Sequence, residues 1–198
     1  MINAQQIGRL IAEEIINEAG PCFYPGKFKP PHKGHFEAAK RLAAKSYITV
    51  VEIIISSKII EGITPEESMQ IWKLYLDAQP NPKITVKMST EESPIVDIIH
   101  YLKNNPAVDP VYVAGGDDET DDDSYLKSLQ DQFGDRVKAI RVEEKAGIIS
   151  APYLRSVLEA GDYEAFKEGI PEAAFNKGAA PKIFKMLVPK FSNQDGSE

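Results

Sequence analysis

The chain has 198 residues, of which 42% are hydrophobic and 27% charged, an ordinary balance for a globular protein with one sizeable core. Its formal net charge of -7 argues against a general nucleic-acid binder, which would present a basic face. No apolar run approaches ~18 residues, so no membrane-spanning helix is expected. The single cysteine, Cys22, allows no intrachain disulfide and suits a reducing compartment.

Residues 2–19 place Ile7, Leu10, Ile11 and Ile15 on one stripe, which predicts an amphipathic helix stopped by Gly20-Pro21. It either packs on its own domain or covers a sheet edge or homo-oligomer contact. Glu13, Glu14 and Glu18 break any signal-peptide plan, so the expected location is cytoplasmic. Residues 21–24 read as a short strand. A loop follows that ends in His32 and His35, and Phe36–Ala44 has the composition of a helix reaching about Ser46. Tyr47–Ile55 is nearly continuous and β-branched, which predicts a strand buried on both faces of a parallel sheet.

Thr64-Pro65-Glu66-Glu67 starts a helix, with Thr64 as cap, Pro65 at the first helical position and Glu67 completing a capping box. Residues 83–88 alternate as a strand, and Ser93-Pro94 opens a helix through Leu102 that carries His100 as a half-buried core residue. Pro110–Gly116 is a strand and turn, 124–133 a helix, and Val137–Val142 a strand. Ser150–Arg155 opens another helix. Short helical pieces follow around Phe166 and at Pro181–Leu187, and the tail 192–198 is expected to be disordered. Strands alternating with helices predict an α/β fold, a parallel sheet with helices on both faces. The expected organisation is an N-terminal helix over 1–20, a core over 21–163, and a C-terminal helical extension and tail over 164–198.

The chemistry concentrates in Gly26-Lys27-Phe28-Lys29-Pro30-Pro31-His32-Lys33-Gly34-His35. Three lysines are bunched here in an acidic protein, and a helix N-terminus with unpaired N–H groups is expected just beyond, a combination suited to phosphate. At i, i+3 the two histidines can face one side. A zinc site would need further ligands, with only His100 and Cys22 spare. A P-loop is excluded because five residues separate Gly20 from Gly26 and Phe28 stands where Ser or Thr is required.

Gly26-x-Phe28-x-Pro30-x-His32-x-Gly34-His35 resembles the signature of the HxGH nucleotidyltransferase superfamily. Ile149-Ser150-Ala151-Pro152-Tyr153-Leu154-Arg155 resembles that superfamily's ISSTxxR element, with Pro152 where relatives have Thr. The resemblance implies a Rossmann-like five-stranded sheet of order 3-2-1-4-5. It implies catalytic roles for His32, His35 and Arg155 at the phosphates of a nucleoside triphosphate, and for Lys27 at those phosphates or at the second substrate. It implies nucleotide binding by Gly26, Phe28, Gly34, Gly115, Asp117 and Ser150, with Asp117 on the ribose or base. The bias of Asp117–Asp123, six carboxylates in seven residues, reads as a solvated loop or an aid to Mg²⁺. The implied reaction is transfer of AMP from ATP to a small phosphorylated acceptor such as nicotinamide mononucleotide, with Mg²⁺ and release of pyrophosphate. The alternatives are a cytidylyltransferase using CTP and a non-catalytic nucleotide-binding relative. No nucleic acid or membrane partner is implied.

Overall fold

A computed structural model describes residues 18–116, 124–142 and 149–191. Five strands, β1 (Gly20–Gly26), β2 (Ile48–Ile55), β3 (Ile84–Met88), β4 (Val111–Gly116) and β5 (Val137–Val142), form one parallel sheet of order β3-β2-β1-β4-β5. Helices α1 (Lys33–Ala43), α2 (Pro65–Ala78), α3 (Pro94–Asn104), α4 (Ser124–Phe133) and α5 (Ala151–Glu159) alternate with them. Three short helices follow: α6 (Tyr163–Lys167), α7 (Glu172–Asn176) and α8 (Ala179–Leu187). This is the expected Rossmann-like architecture. The predicted N-terminal helix, the acidic run and the tail fall largely outside the described residues.

Successive strand residues point to opposite faces, and the core divides accordingly. Phe23, Ile54, Val111 and Val113 face one cluster, completed by Ile98 and Leu102 of α3 and Leu126 and Leu129 of α4. Cys22, Tyr24, Ile53, Ile55, Tyr112 and Ala114 face the other, with α1, α2 and α5. Phe166, Ala174, Ala180, Ile183 and Leu187 of the three C-terminal helices belong to this second cluster. The Cys22 thiol is buried there, and burial pushes its pKa up to about 12.

Local signals set the helix starts. Thr64 and Glu67 form the expected reciprocal box at α2, and Ser93 and Ser150 accept from backbone amides at the starts of α3 and α5. Two readings are corrected. His100 is not half in the core: its side chain is 54% exposed, with Nδ1 3.5 Å from a Glu91 carboxylate oxygen. Helix α1 begins at Lys33 and not after the histidines, because His32 itself is its cap.

Candidate active site

The chain starts at β1 in the middle of the sheet, runs outward through β2 and β3, then crosses back to β4. In open α/β sheets ligands bind at the carboxyl ends of strands at such a switch point. Strands β1 and β2 stay paired to Gly26–Ile55, but β1 and β4 pair only at Cys22–Tyr112 and Phe23–Val113 among the described residues. That pairing ends at Phe23, and the loop after β1 packs against the end of β2, α2 and α5.

That loop is pinned through its carbonyls. The Gly26 carbonyl accepts from the Ser56 amide at 2.9 Å. Those of Lys27, Phe28, Lys29 and Pro31 accept from Lys29 Nζ, Ser68 Oγ, Arg155 Nη1 and Tyr75 OH, at 3.1, 2.8, 2.9 and 3.0 Å. Acceptors that would repel a phosphate are thereby engaged by the protein. Phe28 sits at φ 51°, in the left-handed region, with its ring against Tyr24, Trp72 and His35. A Cβ on Gly26 would lie 2.6 Å from that ring, so the glycine makes room for Phe28.

The two histidines form a capping box. His32 Nδ1 accepts from the Gly34 amide at 3.1 Å, and His35 Nδ1 accepts from the His32 amide at 3.3 Å. An imidazole that accepts at Nδ1 and is neutral carries its proton on Nε2. Both rings are held neutral. Burial, then the nearby Lys33, lowers the His32 pKa to about 4. Burial, then His32, holds His35 well below the ordinary range. Each ring is therefore uncharged, with its proton on Nε2.

A correction concerns the helix N-terminus. The first α1 amides are not open to a ligand: Lys33 N–H donates to the Gly169 carbonyl at 2.8 Å, and Gly34 N–H to His32. The C-terminal segment thus occupies the first amide of this helix.

The three loop lysines separate. Lys27 is exposed and Lys33 half-buried. Lys29 is 1% exposed, its ammonium on the carbonyls of Lys27 and Ser56. Burial outweighs Glu66 and Glu67 and lowers its pKa to about 8. Arg155, on α5, donates to the Lys29 carbonyl and lies with Nε 2.8 Å from a Glu61 carboxylate oxygen. Ser150 caps the same helix, accepting from the Tyr153 amide at 3.2 Å. Pro152 falls in that first turn, where no N–H is needed. Gly115 sits on β4 with a would-be Cβ 2.8 Å from Leu126, so its smallness answers α4 packing. Asp117 lies outside the described residues.

Gly26, Phe28, His32, Gly34 and His35 thus form one unit, and Arg155 is tied to it through Lys29. Sequence reasoning missed Ser56, Glu61, Ser68, Tyr75 and Gly169. The Ile60–Ile63 turn signal at Glu61-Gly62 is legible; the other four carry no signature. Among the described residues no group of three or more His, Cys, Asp or Glu converges to hold a metal ion. None of their helices is long and apolar enough to cross a membrane.

The fold is that of a Rossmann-like α/β protein, with the candidate loop at the carboxyl end of β1, where the strand order reverses. Several solved structures share this fold. Plasmodium falciparum nicotinic acid mononucleotide adenylyltransferase complexed with APC superposes with a TM-score of 0.61 at 13% identity, over 84% of this chain and 98% of that one. The same enzyme complexed with NaAD gives 0.60 at 13% identity, over 84% and 98%. A Vibrio parahaemolyticus structure assigned to the nicotinate-nucleotide adenylyltransferases gives 0.60 at 14% identity, over 88% and 97%. At such identities the likeness is one of fold. No family model and no curated protein matches the chain.

Proposed function

We propose that the protein is a nucleotidyltransferase that moves AMP from ATP to a small phosphorylated acceptor such as nicotinamide or nicotinate mononucleotide. The observation that carries this reading is the His32–His35 pair: two neutral imidazoles, locked by Nδ1 to the backbone, beside a loop whose carbonyls are turned to the protein. The fold shared with structures holding APC and NaAD supports nucleotide and acceptor.

In the proposed reaction an acceptor phosphate oxygen attacks the α-phosphorus in line. The new P–O bond forms as the bond to the β-phosphate breaks, and its electron pair leaves with pyrophosphate. A phosphate monoester is already anionic near neutral pH, so no general base is required. The protein contributes positioning and charge stabilisation. Donors that need no reorganisation suit this role. The His32 and His35 Nε2–H groups would meet the developing charge, with Lys27 and Arg155 adding positive charge and Ser150 a hydroxyl donor. Mg²⁺ commonly binds through substrate phosphates and few carboxylates; here it would neutralise triphosphate charge and arrive with ATP.

The test is pyrophosphate release with Mg²⁺ and each of ATP, CTP, GTP and UTP, against a panel of phosphorylated acceptors. Release with ATP and a mononucleotide is expected. Release with CTP alone would replace the base assignment, and silence with retained triphosphate binding would favour a non-catalytic relative.

A further inference from the structure

The loop between β2 and α2 contains a contact that the proposed reaction does not use. Ile60 and Ile63 exchange backbone hydrogen bonds at 3.2 and 2.9 Å. The two residues between them, Glu61 and Gly62, have φ 48° and 76°. These are the marks of a type I′ turn, whose first central position ordinarily holds Asn, Asp or Gly. A glutamate there is in a conformation that L side chains rarely adopt, and such outliers gather at functional sites. Its carboxylate lies 2.8 Å from Arg155 Nε.

We propose that Glu61 is a resident competitor for Arg155, displaced when a substrate phosphate binds the guanidinium. This rests on reading Arg155 as a phosphate-binding residue. Three observations favour displacement over a permanent clamp. The contact is an ion pair without hydrogen-bond alignment, since the buried Nε has no hydrogen-bond partner. The Glu61 side chain is 49% exposed and that of Arg155 15%, so the carboxylate can turn into water while the guanidinium stays. The turn itself is anchored: Ile63 is fully buried, and Gly62 packs on Lys190, whose ammonium is 2.9 Å from Glu67. A side-chain rotation then suffices. A carboxylate and a phosphate on one guanidinium repel each other by more than thermal energy at such distances. The more highly charged polyphosphate wins the contest, and the carboxylate's return assists the departure of pyrophosphate.

The experiment is titration calorimetry of the full chain with ATP and with inorganic pyrophosphate, for the wild type and Glu61→Gln. The expected result is three- to tenfold tighter binding of both ligands to the variant. The gain should vanish when Arg155→Ala is combined with it. Glu61→Asn, neutral and at home in this turn, should bind like Glu61→Gln with no loss of melting temperature. Equal or weaker binding by both neutral variants overturns the proposal and makes Glu61 a clamp, leaving the phosphate role of Arg155 standing. A wild type that binds neither anion overturns that role and this proposal together.

Discussion

His32 and His35 cap one helix reciprocally, with ring centroids 3.7 Å apart and each Nδ1 on a backbone amide. The tautomer is therefore tied to the fold of α1, and the donor atoms are set before any ligand arrives. Replacing His35 with Ala should lower turnover at least ~100-fold, the scale for loss of one transition-state donor. It should also cost ~1 kcal/mol of stability through the lost cap. His35→Asn, whose amide oxygen can accept from the same N–H, should recover the stability and not the rate. Normal turnover in both variants would remove His35 from the chemistry.

Arg155 is held at the loop by the Lys29 carbonyl and makes a one-sided approach to Glu61. A guanidinium bonds a carbonyl and a phosphate in one plane, which an ammonium cannot reproduce. Arg155→Lys should therefore weaken ATP binding nearly as much as Arg155→Ala, by roughly 10- to 100-fold, the scale of a charged hydrogen bond. Calorimetry decides; an unchanged dissociation constant takes Arg155 out of the site.

Tyr75 is fully buried and donates to the Pro31 carbonyl one residue before His32. Tyr75→Phe leaves that carbonyl unpartnered, at about 1–3 kcal/mol. The loop then loses one of its pins, and turnover should fall on the order of tenfold through misplacement alone. Urea melts and steady-state rates report the two effects separately. A stability loss with an unaltered rate would mean that this pin serves only the fold.

Acid should weaken the protein through the same histidines. His32 in the folded chain has a pKa of about 4, below the ~6.5 of an unfolded chain. As pH falls from about 6.5, the unfolded state takes up the proton first. The stability present above that pH is lost progressively down to about 4. The loss amounts to ~3 kcal/mol for this group. His32→Asn keeps a good cap residue and should remove most of that acid-dependent loss. Denaturation midpoints at pH 7 and pH 4 in both proteins provide the comparison, and parallel losses would show that His32 does not carry the effect.

Much of the fold was legible because its signals are short-range. The β-branched run of β2, the Thr64–Glu67 box and the Ser93-Pro94 start each express themselves within a few residues. The start of α1 was not legible, since a histidine pair in a capping box has no ordinary sequence signature. In the sequence Lys29 is one of three bunched loop lysines suited to phosphate, and only the packing of β2 and α2 around it makes it a buried staple. His100 looked half-buried by helical spacing, yet α3 turns it toward Glu91 and solvent.

Alternation of strands and helices, the spacing of Gly26 through His35 and the cap residues were sufficient to specify a parallel α/β sheet with a candidate loop at one strand end. These features act through neighbours in the chain, so the chain order contains them. The neutrality of the histidines, the occupation of the first α1 amide by Gly169 and the pairing of Arg155 with Lys29 and Glu61 depend on residues far apart in the chain. Desolvation and the choice of hydrogen-bond partner are properties of the packed interior, and they were decided only when the sheet, its helices and the C-terminal segment came together.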